Sequence, residues 1–398
     1  MKKLRKIIVL LAVWILFTVI LLEVSLRVMV TALPYNLQTT VRRVTSGQPF
    51  AETWTPAWQY NRDHFMALRP DLDNALQYGT PSVQFHVSTI NLWDLGIGFR
   101  TRPIDYYVDA IVVGDSFSFC FTEREDCWVT LLEQATGLGL VNLGQWGTGS
   151  VSHMRHIATY APPLEPRLVI WQFYGNDFND DYGLAAWRGD IAEIPDDFSD
   201  IELDVPDVFP SWPIIIWLRE NSALFAVFEV LATGRWGGLN QVERDLFYVH
   251  SVDYEGGTLQ FGRNYDLQAF DMTRLRNQKG LSLARDAFQQ AKDIVSRWGG
   301  EIVVVIIPSR EEVYDHLTVP VMGQAAIDKV TSSRDAMWDL CSELDLRCYD
   351  PLADLRQYAR SGEHLFYSDD LHLNPRGNAV FAALVADWLD EEGLLTEP

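Results

Sequence analysis

Two stretches constrain this chain more than anything else in it. "RLVIWQFYG" (Arg167 to Gly175) and "EIVVVIIP" (Glu301 to Pro308) are apolar at consecutive positions rather than at alternate ones. A strand with one wet face alternates polar and apolar residues, so a continuous apolar run must be covered on both faces. Segments of helical period surround these runs: Trp128 to Thr136, Val151 to Tyr160, Leu281 to Trp298, Ala325 to Leu344 and Asn378 to Leu389. Tyr107 to Val113, "GLVNLG" (Gly139 to Gly144) and "RCYD" read as further strands. Strand–helix alternation of this kind predicts an α/β fold, with a parallel sheet flanked by helices.

The alternation breaks at about residues 178 to 275. An acidic, proline-containing stretch (Asp190 to Pro210) leads into an apolar segment, Trp212 to Ala232. A hairpin with Gly256-Gly257 at its turn follows. This region is expected to be an insertion or cap over the main domain. The helix Trp212 to Ala232 is apolar on too many faces for a surface helix, and is expected to pack on that domain. A lid over the site, or a helix lying on a membrane, is the alternative. The expected divisions are residues 1–33, a cytoplasmic stub and anchor; 34–105, a lead-in packed on the main domain; and 106–398, the main domain with its insertion.

The chain opens "MKKLRK", followed by sixteen residues, Ile7 to Leu22, that are apolar except for Thr18. A bilayer core of about 30 Å takes about 20 helical residues. The helix is therefore expected to continue through Glu23 to about Val30. Lys2, Lys3, Arg5 and Lys6 place the N-terminus in the cytoplasm by the positive-inside rule. A signal peptide cleaved near Val30 to Ala32 is the competing reading. The length of the run, and the two charges between it and that site, favour an uncleaved single-pass anchor with the rest of the chain outside the cytoplasm.

Four cysteines fit that compartment. Cys120 and Cys127 are seven apart, as are Cys341 and Cys348. Two local disulfides are one reading and buried free thiols the other; the spacing matches no common zinc pattern. The net charge is −22, from 32 basic and 54 acidic residues. A surface that negative repels phosphate backbones, which argues against a nucleic-acid partner.

In an open parallel sheet, ligands bind beyond the carboxyl ends of the strands. Gly114-Asp115-Ser116 follows the first strand, "NLGQWGTGS" (Asn142 to Ser150) the second, and Gly175-Asn176-Asp177 the third. "SDDLHLN" (Ser368 to Asn374) precedes the last helix. Taken singly, each has an ordinary explanation: a helix cap, a tight turn, a surface histidine. Taken together they are the parts of serine-based acyl transfer. Ser116 needs a base, and His372 is the candidate. The imidazole needs an orienting carboxylate, and Asp369, three residues earlier, can reach it across one helical turn. The oxyanion needs donors, for which Ser116 N–H, Gly147 N–H and the Asn176 amide are the candidates. No metal or organic cofactor is required. His153 and His156, at i and i+3, could ligate a metal but have no evident acidic or cysteine partner in the sequence.

With these residues in place, the chain resembles the SGNH hydrolases, also called GDSL-type esterases and lipases. "GDS" matches their first block, Gly147 their second, "GND" at Asn176 their third, and "DDLH" their Asp-x-x-His block. The resemblance covers roughly residues 90 to 175 and 280 to 390. It implies a flavodoxin-like three-layer α/β/α sandwich with Ser116 as nucleophile, Asp369 and His372 as its partners, and Ser116, Gly147 and Asn176 as the oxyanion hole. It also implies that Asp370 lies at the wrong spacing and is solvated. "LNPRG" (Leu373 to Gly377) looks like the family's usual continuation. Phe117 stands where the family usually has leucine, a position that packs rather than reacts. The anchor and "IPSREEVY" (Ile307 to Tyr314) look like a bacterial subgroup near proteins that modify envelope polysaccharides. The expected activity is an extracytoplasmic serine esterase acting on an acyl ester of a carbohydrate or lipid. O-acyl transfer to a polysaccharide, and a non-catalytic carbohydrate-binding or scaffold protein, are the alternatives.

Overall fold

The structure, a computed structural model, describes residues 2–33, 37, 40, 41, 44, 45, 57–78, 83–194, 212–233 and 248–395. It falls into two compact units: residues 1–56 with 200–244, and residues 57–199 with 245–398. Most of the acidic stretch Asp190 to Pro210 lies outside the described residues.

The larger unit is built on five parallel strands: β1 (Ala110–Val113), β2 (Leu140–Asn142), β3 (Leu168–Tyr174), β4 (Glu301–Ile307) and β5 (Arg347–Tyr349). Their spatial order is β2-β1-β3-β4-β5, the flavodoxin-like doubly wound order. The order reverses beside β1, which places a crevice at its carboxyl end. Alternate residues of each strand feed opposite cores, as a two-unit side-chain period requires. Ala110 and Val112 join one cluster with α2 (Trp128–Thr136) and α8 (Pro375–Glu391). Ile111 and Val113 join the other with α3 (Ser150–Tyr160), α5 (Leu275–Val295) and α7 (Gln324–Glu343). The result is the three-layer α/β/α sandwich expected from the continuous apolar strands.

The lead-in from residue 57 forms short hairpins, Trp58–Asn61 with Phe65–Leu68 and Ala75–Tyr78 with Gln84–Val87. Its Leu92, Ile97 and Phe99 enter the second core. The hairpin Tyr248–Tyr254/Gly257–Arg263 contributes Leu259 and Phe261 to the first. Both cysteine pairs are disulfides, Cys120–Cys127 with Cα atoms 5.5 Å apart and Cys341–Cys348 at 6.2 Å.

In the smaller unit, an N-terminal helix runs Lys2–Val28, and Arg5–Val28 is long and apolar enough to cross a membrane. The stretch expected to be one helix over Trp212 to Ala232 is two, Pro213–Asn221 and Ala223–Thr233, broken at an extended Ser222. The break has a local cause: the Ser222 hydroxyl and the first backbone N–H groups of the second helix turn to the Glu23 carboxylate. The buried face of the second helix, Ala223 and Val227, packs on Leu26, Val30 and Leu33. Its observed packing partner is therefore the end of the N-terminal helix and the turn after it, where the main domain was expected, because Leu26, Val30 and Leu33 fit its small apolar face.

Candidate active site

Strand β1 ends at Gly114, whose missing side chain is required. A Cβ there would lie 2.3 Å from Gln172 Oε1 and 2.4 Å from Ser118 Oγ. Gln172, on β3, uses that space to accept from Asp115 N–H at 3.1 Å and Ser118 Oγ at 3.0 Å. Asp115 then caps the short α1 (Ser116–Phe119): its Oδ1 accepts from Phe117 N–H at 2.9 Å. Ser116 is thereby held at the first position of a helix, nearly buried, with Oγ 3.5 Å from Asp115 Oδ2. Burial pushes the Asp115 carboxyl up to about 6, against the Phe117 hydrogen bond and the His372 charge, which pull it down.

His372 arrives on a tight loop. Phe366 bridges to Leu373, Tyr367 N–H donates to the His372 carbonyl at 3.2 Å, and Asn374 N–H donates to the Leu365 carbonyl at 3.0 Å. The "LNPRG" run explains how the loop becomes a helix. Asn374 caps α8 by accepting from Gly377 N–H at 2.9 Å, and Pro375 takes the first turn. Gly377 is obligatory, since a Cβ would sit 1.9 Å from the Leu365 carbonyl oxygen.

The partner of His372 is Asp370, which corrects the expectation of Asp369. Asp370 Oδ1 accepts from ring Nδ1 at 2.5 Å and from the His372 backbone N–H at 2.9 Å. Asp370 is 6% exposed, where a solvated residue was expected. The physical reason is that the segment is not a helical turn. An aspartate bonding the N–H two residues on makes an Asx turn, and that turn swings its carboxylate to the imidazole. Burial alone would raise the Asp370 carboxyl, but the His372 charge and hydrogen bonds outweigh it and hold the group below the usual range. With the carboxylate accepting at Nδ1, that nitrogen is the ring's donor toward Asp370, and Nε2 is the ring nitrogen turned away from it. Asp369 is half-buried.

His372 Nε2 is buried and has no hydrogen-bond partner among the described residues. The expected bond from Ser116 is not made, because Oγ rests on Asp115. The two nevertheless share one corner of the molecule. The His372 ring lies 5.0 Å from that of Phe117, next to Ser116, and stacks on Phe121 at 3.8 Å.

The oxyanion candidates sit on neighbouring turns. Gly144 packs where a Cβ would meet Ser118 and Phe119 backbone at 2.5–2.6 Å, and its N–H donates to Asn142 Oδ1 at 2.8 Å. Gly147 is exposed, has φ +65°, and has open space about it. Asn176 Nδ2 donates to Asp180 Oδ2 at 2.9 Å, and the same amide also bonds the Tyr265 hydroxyl. Behind it, burial pushes Asp180 up to about 6 and Asp177 well above the carboxylate range. His153 and His156 are buried. His156 stacks on His64 at 4.3 Å, and His153 Nε2 lies 3.2 Å from Thr148 Oγ1. Among the described residues no group of three or more His, Cys, Asp or Glu is arranged to hold a metal.

Two positioning arginines were not singled out from the sequence. Arg310, at the start of α6 (Arg310–Val313), is fully buried and donates to the Tyr367 and Asp370 carbonyls, each at 3.0 Å. Arg100 donates to the Phe119, Cys120 and Thr122 carbonyls at 2.9, 2.5 and 2.9 Å. "IPSREEVY" was a visible signal for the first: an arginine just past a buried strand cannot reach solvent cheaply and needs carbonyl partners.

Residues 268–398, which carry β4, β5 and the Asp370–His372 loop, match the family model described as "SGNH hydrolase-like domain, acetyltransferase AlgX". No curated protein matches the chain. Among solved structures, the chain is similar to a lipase/acylhydrolase from Enterococcus faecalis, at 10% identity over 72% of this chain and 97% of that one, with a TM-score of 0.35. It is also similar to LAE5, an alpha/beta hydrolase from the metagenome of Lake Arreo, at 13% identity over 72% and 96%, with a TM-score of 0.36. The acetyl xylan esterase AlAXEase gives 10% over 71% and 98%, with a TM-score of 0.35. At such TM-scores these likenesses add no weight. Residues 268–398 are thus similar to an SGNH hydrolase-like domain, and they supply two of the five strands of the doubly wound sheet together with the histidine loop.

Proposed function

We propose that the protein is a membrane-anchored, extracytoplasmic serine esterase that passes the acyl group of a carbohydrate or lipid ester through Ser116. The observation that carries this reading is His372, fixed through Nδ1 by Asp370, with a buried and unpartnered Nε2 near Ser116. A scaffold has no use for an imidazole held in that way. With substrate present, Ser116 Oγ turns from Asp115 to His372 Nε2. His372 takes its proton as the oxygen attacks the ester carbonyl. Ser116 N–H, Gly147 N–H and Asn176 Nδ2 face the oxyanion, each donor contributing about 3 kcal/mol. His372 then protonates the leaving alkoxide, and water resolves the acyl-enzyme with His372 as base.

A second reading is favoured by the family model, whose description names an acetyltransferase. There a sugar hydroxyl replaces water in the second half-reaction, and the first half is unchanged. The test is turnover of p-nitrophenyl esters, from acetyl to long-chain, by the full chain and by Ser116→Ala, with and without added oligosaccharide. Serine-dependent release of nitrophenol with free acid as product supports the esterase. Acyl-oligosaccharide as the main product selects the transferase. Equal rates for the wild type and Ser116→Ala reject both.

A further inference from the structure

Two charged residues close the apolar run of the anchor helix, and both are occupied by the helix pair Pro213–Asn221 and Ala223–Thr233. The Glu23 carboxylate accepts from Ser222 Oγ at 2.9 Å, Ala223 N–H at 2.9 Å and Leu224 N–H at 2.8 Å, and so caps the second helix of the pair. Arg27 donates to Glu23 at 2.7 Å and to the Asn221 carbonyl at 2.8 Å. The sixteen residues Ile7 to Leu22 make a helix about 24 Å long, short of a hydrocarbon core of about 30 Å. A spanning helix therefore brings the Glu23–Arg27 turn to the hydrocarbon boundary, where an unpaired charge is costly. The junction of the pair satisfies both charges, so it lies at the same depth.

The rest of the pair suits that depth. Its exposed large side chains are Trp212 (63%), Ile214, Trp217, Phe228 and Leu231 (69%). Ile214 and Trp217 share one face of the first helix, three apart, and Phe228 and Leu231 share one face of the second. The adjoining stripe of the second helix, Ala223 and Val227, is already spent on Leu26, Val30 and Leu33 of the smaller unit. Glu229, the only charge in the second helix, is buried at 3% exposure. At 9 and 11 residues, neither helix can cross a bilayer. Two tryptophans on a short amphipathic element are the composition of the aromatic belt, with indole N–H toward headgroups and ring toward acyl chains.

We propose that this helix pair is a second membrane contact: it lies in the outer interface of the bilayer, locked to the anchor by Glu23 and Arg27, with Trp217 and Phe228 in lipid. The proposal rests on the anchor reading given above. Lipid is the occupant because the pair is joined through Glu23 and Arg27 to the end of a helix whose own apolar side chains, such as Leu11, Ile15 and Ile20, are likewise exposed.

The test uses the full chain in phosphatidylcholine/phosphatidylglycerol vesicles. Single cysteines at Leu11, Trp217, Phe228 and Gln290 carry an environment-sensitive nitrobenzoxadiazole label, and lipid-borne doxyl groups quench it. Gln290 is an exposed position on α5 of the larger unit. Trp217 and Phe228 are exposed, and Leu231→Cys serves if either variant fails to fold. Blue-shifted, doxyl-quenched emission at Leu11, Trp217 and Phe228, with none at Gln290, is expected. Glu23→Ala should then reduce quenching at Trp217 and Phe228 while leaving Leu11 unchanged. Quenching at Leu11 alone overturns the proposal and leaves the anchor standing. Blue-shifted but unquenched labels at Trp217 and Phe228 also overturn it, since they mean a protein partner or a second copy. Water-like emission at Leu11 rejects the anchor and the proposal with it.

Discussion

Asp370 bonds His372 twice through one oxygen, at 2.5 Å to ring Nδ1 and at 2.9 Å to the backbone N–H. The same turn that shapes the loop thus orients the imidazole, and the candidate base is aimed by a residue two positions away. Arg310 holds the loop from below through the carbonyls of Tyr367 and Asp370. Tyr367 OH reaches the Phe121 carbonyl at 2.8 Å, which ties the histidine loop to the segment that follows Ser116.

The two adjacent aspartates should therefore differ sharply. Asp370→Asn loses the tautomer-selecting acceptor and is expected to lower kcat about 10³- to 10⁴-fold, by analogy with other serine triads. Asp369→Asn should stay within a few-fold of wild type. Steady-state kinetics on a p-nitrophenyl ester decides, and a large loss at Asp369 with little at Asp370 contradicts the geometry.

The two glycines of the second turn should separate in the same way. Gly144→Ala puts a Cβ 2.5 Å from the Ser118 backbone, so α1 and the β2 turn must part; a loss of at least about 3 kcal/mol is expected, with activity lost too. Gly147→Ala meets nothing and carries only left-handed strain, about 1–2 kcal/mol. Its N–H survives, so it should remain folded and active. Chemical denaturation of both variants checks this.

Asp180 titrates far from its unfolded range. Burial raises its folded value to about 6, against the hydrogen bonds from Tyr265 and Asn179. The fold therefore favours the protonated carboxyl. Its contribution is fully present below about pH 4 and is lost as pH rises through about 6; the shift of about two units corresponds to roughly 3 kcal/mol. Asp180→Asn should flatten that part of the stability–pH curve. Parallel curves for wild type and variant between pH 4 and 7 would show that Asp180 is ionised throughout.

Arg310→Met removes the donor that holds the histidine loop. Each buried carbonyl left without its donor costs about 1–3 kcal/mol. If the arginine positions the base, kcat should fall at least about tenfold with KM nearly unchanged in the folded fraction, and Arg310→Lys should recover part of it. A fall in stability alone, with kcat intact, assigns it a purely structural role.

The sheet was legible because continuous apolar runs such as Glu301 to Ile307 have one explanation, burial on both faces. The serine and asparagine turns were legible from their place after strands. Asp370 was not, because the spacing argument assumed a helical turn, and only the loop's closure between Phe366 and Leu373 makes an i, i+2 contact. The break at Ser222 was hidden for a similar reason. Its cause, Glu23, lies 199 residues away in the chain.

The most direct measurement is intact-mass and peptide-mapping analysis of the full chain after reaction with a fluorophosphonate. One adduct on Ser116, formed far more slowly in His372→Ala and absent in Ser116→Ala, is the predicted result. An adduct on another residue, or a rate on Ser116 indifferent to His372, would contradict the account.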